Sequence, residues 1–199
     1  EILEGQDTHS LYEKAFNLPS RLIAKIYLFR TIFRGSGYSF SIDPDFSHVS
    51  SDPGYWDNVN KLFYQKYKGI DECHNKWKDM VLDGQTIHGP LGRWWQIEPF
   101  NKWGKINWTQ FTNYPVQGTG ADIMALARVS FMTKLKKLGL EKIILLISSV
   151  HDSIVVDAPS SYLKLICKLF NQVFMDLQAN IRRMFNYDLV EPLECEVKA

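Results

Sequence analysis

Two β-branched, apolar runs, Lys142 to Ser149 and Ile154 to Asp157, are separated only by Val150-His151-Asp152-Ser153. So short a break predicts a β-hairpin. The runs must bury at least one face, which leaves His151 and Asp152 where the chain reverses. Asp is a common turn residue, and an exposed carboxylate at a strand tip costs little, so the pair is compatible with a plain turn. What singles it out is apolar strand pressing right up to it. A carboxylate fixed on rigid scaffold at a surface is what a metal ligand needs.

Upstream the pattern is helical. Glu1 to Phe16 reads as a helical or loop lead-in ending at Asn17-Leu18-Pro19. Ser20 can cap a helix from about Arg21 to Phe33, which stops at Gly35-Ser36-Gly37. Ser39 to Gly54, broken by Pro44, Pro53 and Gly54, reads as a loop. Helices are expected from about Tyr55 to Tyr67, ended by Lys68-Gly69, and from Asp71 to Leu82. Gln85 to Trp95 suits a hairpin or extended turn. Asn101 to Tyr114 carries no clear period, and Thr119 opens a helix that Gly139 can terminate in the left-handed conformation. Ser160 caps a long amphipathic helix to about Phe185, and Leu193 to Val197 reads as a last strand. Helices first, then a hairpin packed with long helices, make an α+β arrangement.

The 199 residues, 45% of them hydrophobic, suffice for one globular domain or two small coupled lobes. Six Trp, nine Tyr and twelve Phe can fill cores, and some can serve as platforms for stacked bases. A net charge of +1 decides nothing about nucleic acid, because only clustering of cations counts. Three Cys (Cys73, Cys167 and Cys195) lack metal-ligand spacing and read as reduced cytosolic thiols. The longest apolar run, Ile143 to Ile147, is strand-sized, so no membrane partner and no signal peptide are expected. The first residue is Glu1 rather than Met, and the natural N-terminus is expected upstream.

Arg21, Lys25, Phe29 and Phe33 recur every four residues. Side chains four apart share a helix face, so the row is a stripe roughly 18 Å long at 1.5 Å per residue. Its first half is cationic and its second aromatic, the division of a nucleoside triphosphate. An ordinary amphipathic helix with cations reaching to water is the competing reading. Ile23, Ile26, Tyr27 and Ile32 on the other faces argue against it, because a solvated helix needs no second apolar row.

Taken together, these segments resemble family A DNA polymerases of the phage type. Arg21 to Phe29 looks like the family's fingers motif, and Val150-His151-Asp152-Ser153 like its palm hairpin. Asn113-Tyr114-Pro115-Val116-Gln117-Gly118-Thr119-Gly120-Ala121-Asp122 is the most specific match. Glu4 to His9 resembles the segment after the first palm carboxylate, and Gly92-Arg93 a pair in the fingers-to-palm connection.

The resemblance implies helical fingers over residues 1–100, with a lead-in from the palm, and a C-terminal palm portion over 101–199. It implies that Arg21, Lys25 and His9 contact the triphosphate, with Lys25 also catalytic, and that Phe29 and Phe33 bind the nucleotide. Asp152 is implied as catalytic and as a ligand of two Mg²⁺ ions. Asn113, Gln117, His151 and Arg93 are implied as DNA contacts. Partners would be primer–template DNA, deoxynucleoside triphosphates and a missing N-terminal palm and thumb portion, in the bacterial cytoplasm. With the first palm carboxylate upstream, this piece alone is expected to be inactive.

Ser153 stands where the family favours Glu, Phe33 where Tyr is common, and Arg30 and Arg34 where Gly is common. Ser153 leaves open a single-subunit RNA polymerase-like enzyme, and a non-catalytic DNA-binding subunit derived from a polymerase is the further alternative. Phe29 has no hydroxyl, which implies discrimination against dideoxynucleotides. Phe29→Tyr in the complete enzyme is expected to raise dideoxy incorporation, measured as chain termination at a fixed ratio of dideoxy to deoxy substrate.

Overall fold

The computed structural model describes residues 7–191, 193 and 195–198, with Thr8 described in its backbone alone. They form a mixed helical fold with two small antiparallel ribbons, in keeping with the α+β expectation. The described residues fall into two compact units, those within Glu1–Ile87 and Gln96–Tyr114 and those within His88–Trp95 and Pro115–Ala199.

The first unit holds α1 (Thr8–Ala15), α2 (Arg21–Ile32), α3 (Gly37–Ser41), α4 (Pro44–Ser47), α5 (Pro53–Lys66) and α6 (Lys68–Leu82). The first five helices open on an Asp or Ser whose side chain accepts a backbone N–H of the first turn. Ser20 is that residue for α2, accepting the Ile23 N–H at 3.3 Å. The stretch expected to be loop instead carries α3 and α4. Asp43-Pro44 and Asp52-Pro53 each place proline in the first helical turn, where its missing N–H is no loss, and Phe40 and Phe46 anchor both short helices in the core. Lys68-Gly69 starts α6 rather than ending α5, because the break falls at Tyr67 (φ −112°, ψ 62°).

Aromatic rings dominate this core. Tyr27, Phe40, Phe46, Trp56 and Phe63 are wholly buried. Phe40 and Phe46 meet edge to face at 5.0 Å, and Phe46 and Trp56 at 5.4 Å, arrangements that ring quadrupoles favour. Asn60 ties α5 to α2 by accepting from the Tyr27 and Thr31 hydroxyls at 3.1 and 3.3 Å and donating to the Gly35 carbonyl at 3.0 Å.

The second unit contains the turn between the two-residue strands β1 (Ile87–His88) and β2 (Trp94–Trp95), closed by a bond from the Gly89 N–H to the Arg93 carbonyl at 2.7 Å. It also holds β3 (Leu145–Val150), β4 (Ser153–Asp157) and α8 (Leu163–Phe185). The chain passes from one unit to the other within α7 (Trp108–Leu138). That helix was expected to open at Thr119 but begins at Trp108 and runs through Pro115. The buried Phe111 and Thr112 anchor its first turns, and the Thr112 hydroxyl donates to the Trp108 carbonyl at 2.9 Å. Gly139 (φ 67°) takes the left-handed position past its end.

β3 and β4 pair antiparallel in the expected hairpin, with Leu146 opposite Val156 and Val150 opposite Ser153. Leu146, Ile154 and Val156 pack on a core of Phe131, Leu135, Ile144, Phe170 and Val173, in which Phe131 and Phe170 stack at 4.2 Å. Ser160 does not cap α8 directly, because a single 3₁₀ turn (Ser160–Tyr162) intervenes. The described residues of Leu193 to Val197 form no strand, contrary to expectation. The preceding segment is held by Gln178, whose Nε2 donates to the carbonyls of Leu189 and Glu191. Among the described residues, no helix is long and apolar enough to cross a membrane.

His74 is buried on α6 beside Tyr64 and Trp77, with its Nδ1 unpartnered. Burial first, and Arg34 second, push its pKa from 6.5 down to about 4, against the opposing pull of Asp71. The folded chain therefore disfavours the proton that the unfolded chain accepts. Stability is retained above the unfolded value and lost as pH falls through the window from 6.5 to about 4. Thermal unfolding midpoints are expected to drop across that window, and His74→Phe to flatten the slope.

Candidate functional site

α2 turns one face wholly inward. Ile23, Ala24, Tyr27 and Thr31 are buried, which fixes the rotation of the helix and sends Arg21, Lys25 and Phe29 to the surface. Phe29 is 59% exposed, and its ring meets the half-buried Phe33 edge to face at 5.1 Å. The expected stripe is therefore real and outward-facing. A solvent-exposed phenylalanine on a helix with a full core face has no role in packing that helix. It is a surface suited to a flat ligand.

Arg21 does not stand alone. Its Nε donates to Asp7 Oδ2 at 2.6 Å and its Nη2 to Oδ1 at 3.1 Å, a two-point pairing of guanidinium and carboxylate. The same carboxylate accepts the His9 N–H at 3.2 Å and the Ser10 hydroxyl at 2.6 Å. These bonds, those of Arg21 and Ser10 foremost, hold the Asp7 carboxyl far below the ordinary range. Asp7 thus links the backbone at His9 to Arg21, while the His9 Nδ1 is buried without a hydrogen-bond partner among the described residues. Glu4, Gly5 and Gln6 of that motif lie outside the described residues. Lys25 has no ion-pair partner among the described residues.

The two arginines that depart from the family pattern have structural work. Arg30 donates to Asp43 at 2.7 Å and lies over the rings of Phe40 and Phe46. Arg34 sits one residue past the C-cap of α2 with φ 61°, a position usually given to glycine. The Arg34 N–H bonds the Thr31 carbonyl and the Gly35 N–H the Arg30 carbonyl, both at 2.9 Å, closing the helix end. The left-handed backbone costs a non-glycine residue about 1–2 kcal/mol. Contacts offset it, since the guanidinium lies 4.2 Å from the Tyr64 ring and 4.6 Å from that of Trp108 and pairs with Asp71.

In the second unit, His151 and Asp152 are the two residues of the β3–β4 turn, both exposed. His151 takes a positive φ of 51°, as the first residue of a tight hairpin turn must. The Ser153 hydroxyl donates to the Val150 carbonyl at 2.8 Å, so the residue found in place of Glu helps close the turn. No hydrogen bond or ion pair engages Asp152 among the described residues, leaving both its oxygens open. Among those residues no group of three or more His, Cys, Asp or Glu is placed to hold a metal. A lone open carboxylate still suits Mg²⁺, which takes one or two protein carboxylates and completes its shell with phosphate and water.

On α7, Asn113 is half-buried and Gln117 exposed. The small residues that follow differ in their surroundings. At Gly118 an added Cβ would lie 2.4 Å from the Trp95 ring. Gly120, by contrast, faces open space. Arg93 makes a two-point pair with Asp122, at 2.5 Å for the shortest bond, joining the β1–β2 turn to α7. The Asp7, Asp122 and Trp95 contacts were not legible beforehand. Only Asp7 had a signal, as a helix-capping residue type before Thr8.

The model of DNA polymerase family A matches residues 5–198. DNA polymerase I of Aquifex aeolicus (strain VF5) is 34% identical over 101 residues, which is 50% of this chain and 16% of that protein. The thermostable DNA polymerase I of Thermus aquaticus is 34% identical over 85 residues, 43% of this chain and 9% of that one. The chain therefore spans no more than about a sixth of the length of either relative. The solved POL domain of Pol1 from M. smegmatis, in complex with DNA primer-template and dNTP, matches with a TM-score of 0.73 at 17% identity. The match covers 87% of this chain and 32% of that one, and shows a shared fold.

Gly118→Ala is expected to lower stability by about 1–3 kcal/mol through overpacking against Trp95. Denaturant midpoints check this, and a double-mutant cycle with Trp95→Ala should show the two changes to be non-additive.

Proposed function

The chain belongs to DNA polymerase family A, and from that membership we propose that it supplies the fingers and part of the palm of a polymerase that extends a primer 3′ end with deoxynucleotides. The observation that carries the reading is the exposed row of Arg21, Lys25 and Phe29 on a helix whose opposite face is buried. We assign the first unit to the fingers and the second to the palm.

In this assignment Arg21 and Lys25 bind the triphosphate, Arg as a planar fork and Lys as a point charge. His9, whose backbone N–H shares the Asp7 carboxylate with Arg21, joins them. Phe29 lies against the sugar and Phe33 supports it from the edge. Lys25 also stabilises charge as the triphosphate is cleaved. Asp152 is the metal ligand of the palm. Family A polymerases use divalent ions, and Mg²⁺ when bound supplies Lewis-acid stabilisation of the reacting phosphate. A second carboxylate for two ions is assigned to the polymerase beyond this span.

His151 is assigned to the primer terminus. Asn113 and Gln117 are assigned to the minor groove, where amides can read acceptors common to every base pair. Arg93, still half-exposed beside Asp122, is assigned to the DNA backbone. The bacterial relatives support a bacterial cytoplasmic setting. Family membership weighs against the RNA polymerase alternative.

In the complete polymerase, Asp152→Asn is expected to lower primer extension about a thousandfold or more with primer–template binding retained. Lys25→Ala should lower kcat/KM for every deoxynucleotide alike. Steady-state extension and a gel-shift titration read both, and extension persisting in Asp152→Asn sinks the assignment.

A further inference from the structure

We propose that Asp7 is an internal anion occupying the phosphate position on Arg21, and that a nucleotide must displace it, so that Asp7 sets triphosphate affinity. The inference rests on the reading of α2 as the nucleotide-binding helix. Its basis is the set of donors around one carboxylate. Arg21 Nε and Nη2, the His9 N–H and the Ser10 hydroxyl all converge on Asp7, at 2.6 to 3.2 Å. One is a backbone N–H at a helix N-terminus, one a hydroxyl, and two come from a guanidinium, all groups that bind phosphate oxygens. The donor set is built for an anion, and the chain supplies one of its own.

The pair is open to exchange. Arg21 and Asp7 are 57% and 44% exposed, and ion pairs this wet are weak and screened by salt. A triphosphate carries more charge than one carboxylate and also reaches Lys25, one turn along the same face and unpaired among the described residues. It therefore wins the exchange, but against a competitor tethered to the site. The tethered carboxylate lowers affinity in proportion to its own occupancy and returns when the phosphates leave. Asp7 thereby weakens retention of any phosphate ligand, substrate or product.

The test uses the complete polymerase on a primer–template. Asp7→Asn removes the charge and keeps a good helix cap, and Asp7→Ser is a second neutral cap too short to reach Arg21. Both are expected to lower KM for deoxynucleotides about three- to tenfold, with tighter competitive inhibition by inorganic pyrophosphate. In an Arg21→Ala background, which itself raises KM, neither change should have any effect. The proposal is overturned if both neutral variants leave KM unchanged or raise it while Arg21→Ala raises it, since Asp7 then only holds Arg21 in place. If Arg21→Ala leaves KM unaltered, the nucleotide-binding reading of α2 fails and this inference with it.

Discussion

The burial of Tyr27 organises the first unit. Its ring lies wholly inside, against Phe16, Phe40 and Trp56, and its hydroxyl reaches Asn60 on α5. An aromatic ring locked on several sides permits α2 a single rotation about its axis. Every outward property of the helix follows from that rotation, because residues two positions from Tyr27 must point away from the core. Lys25 and Phe29 are those residues. The cationic-aromatic row is thus held out by what lies behind it. Asn60 completes the lock with its amide on the Gly35 carbonyl, so the exit from α2 is tied to the same side chain as its buried face.

A similar logic governs the second unit on a smaller scale. Leu146, Ile154 and Val156 hold one face of the hairpin on the core, and the pairing of Val150 with Ser153 leaves only two residues for the turn. The carboxylate at 152 is exposed because the register permits no alternative. Its freedom from internal partners contrasts with Asp122, Asp71 and Asp43, each engaged by an arginine.

Local chemistry made much of this visible in the sequence. Ser20 announced the start of α2, four-residue spacing its exposed row, and two β-branched runs the hairpin. Each of those signals acts within a few residues. What could not be read came from contacts distant along the chain. Asn101 to Tyr114 shows no clear period, yet the burial of Phe111 and Thr112 draws α7 back to Trp108. Arg34 in a left-handed conformation is intelligible only once Tyr64 and Trp108 are known to flank it. Gly118 stands against the Trp95 indole, a contact that no local pattern announces. Asp7 and Arg21 are fourteen residues apart, outside the reach of any helical pattern.

The two ends of α2 differ in how their polar groups are held. The C-terminal end is fixed by aromatic rings against a guanidinium, by a carboxylate on α6 and by an amide from α5. At the N-terminal end Ile23 and Ala24 are buried in the core, while the charged surface above them carries a wet ion pair and a serine cap. Added salt therefore loosens the polar fastening of the cationic end and spares that of the aromatic end, because partly buried pairs are screened less.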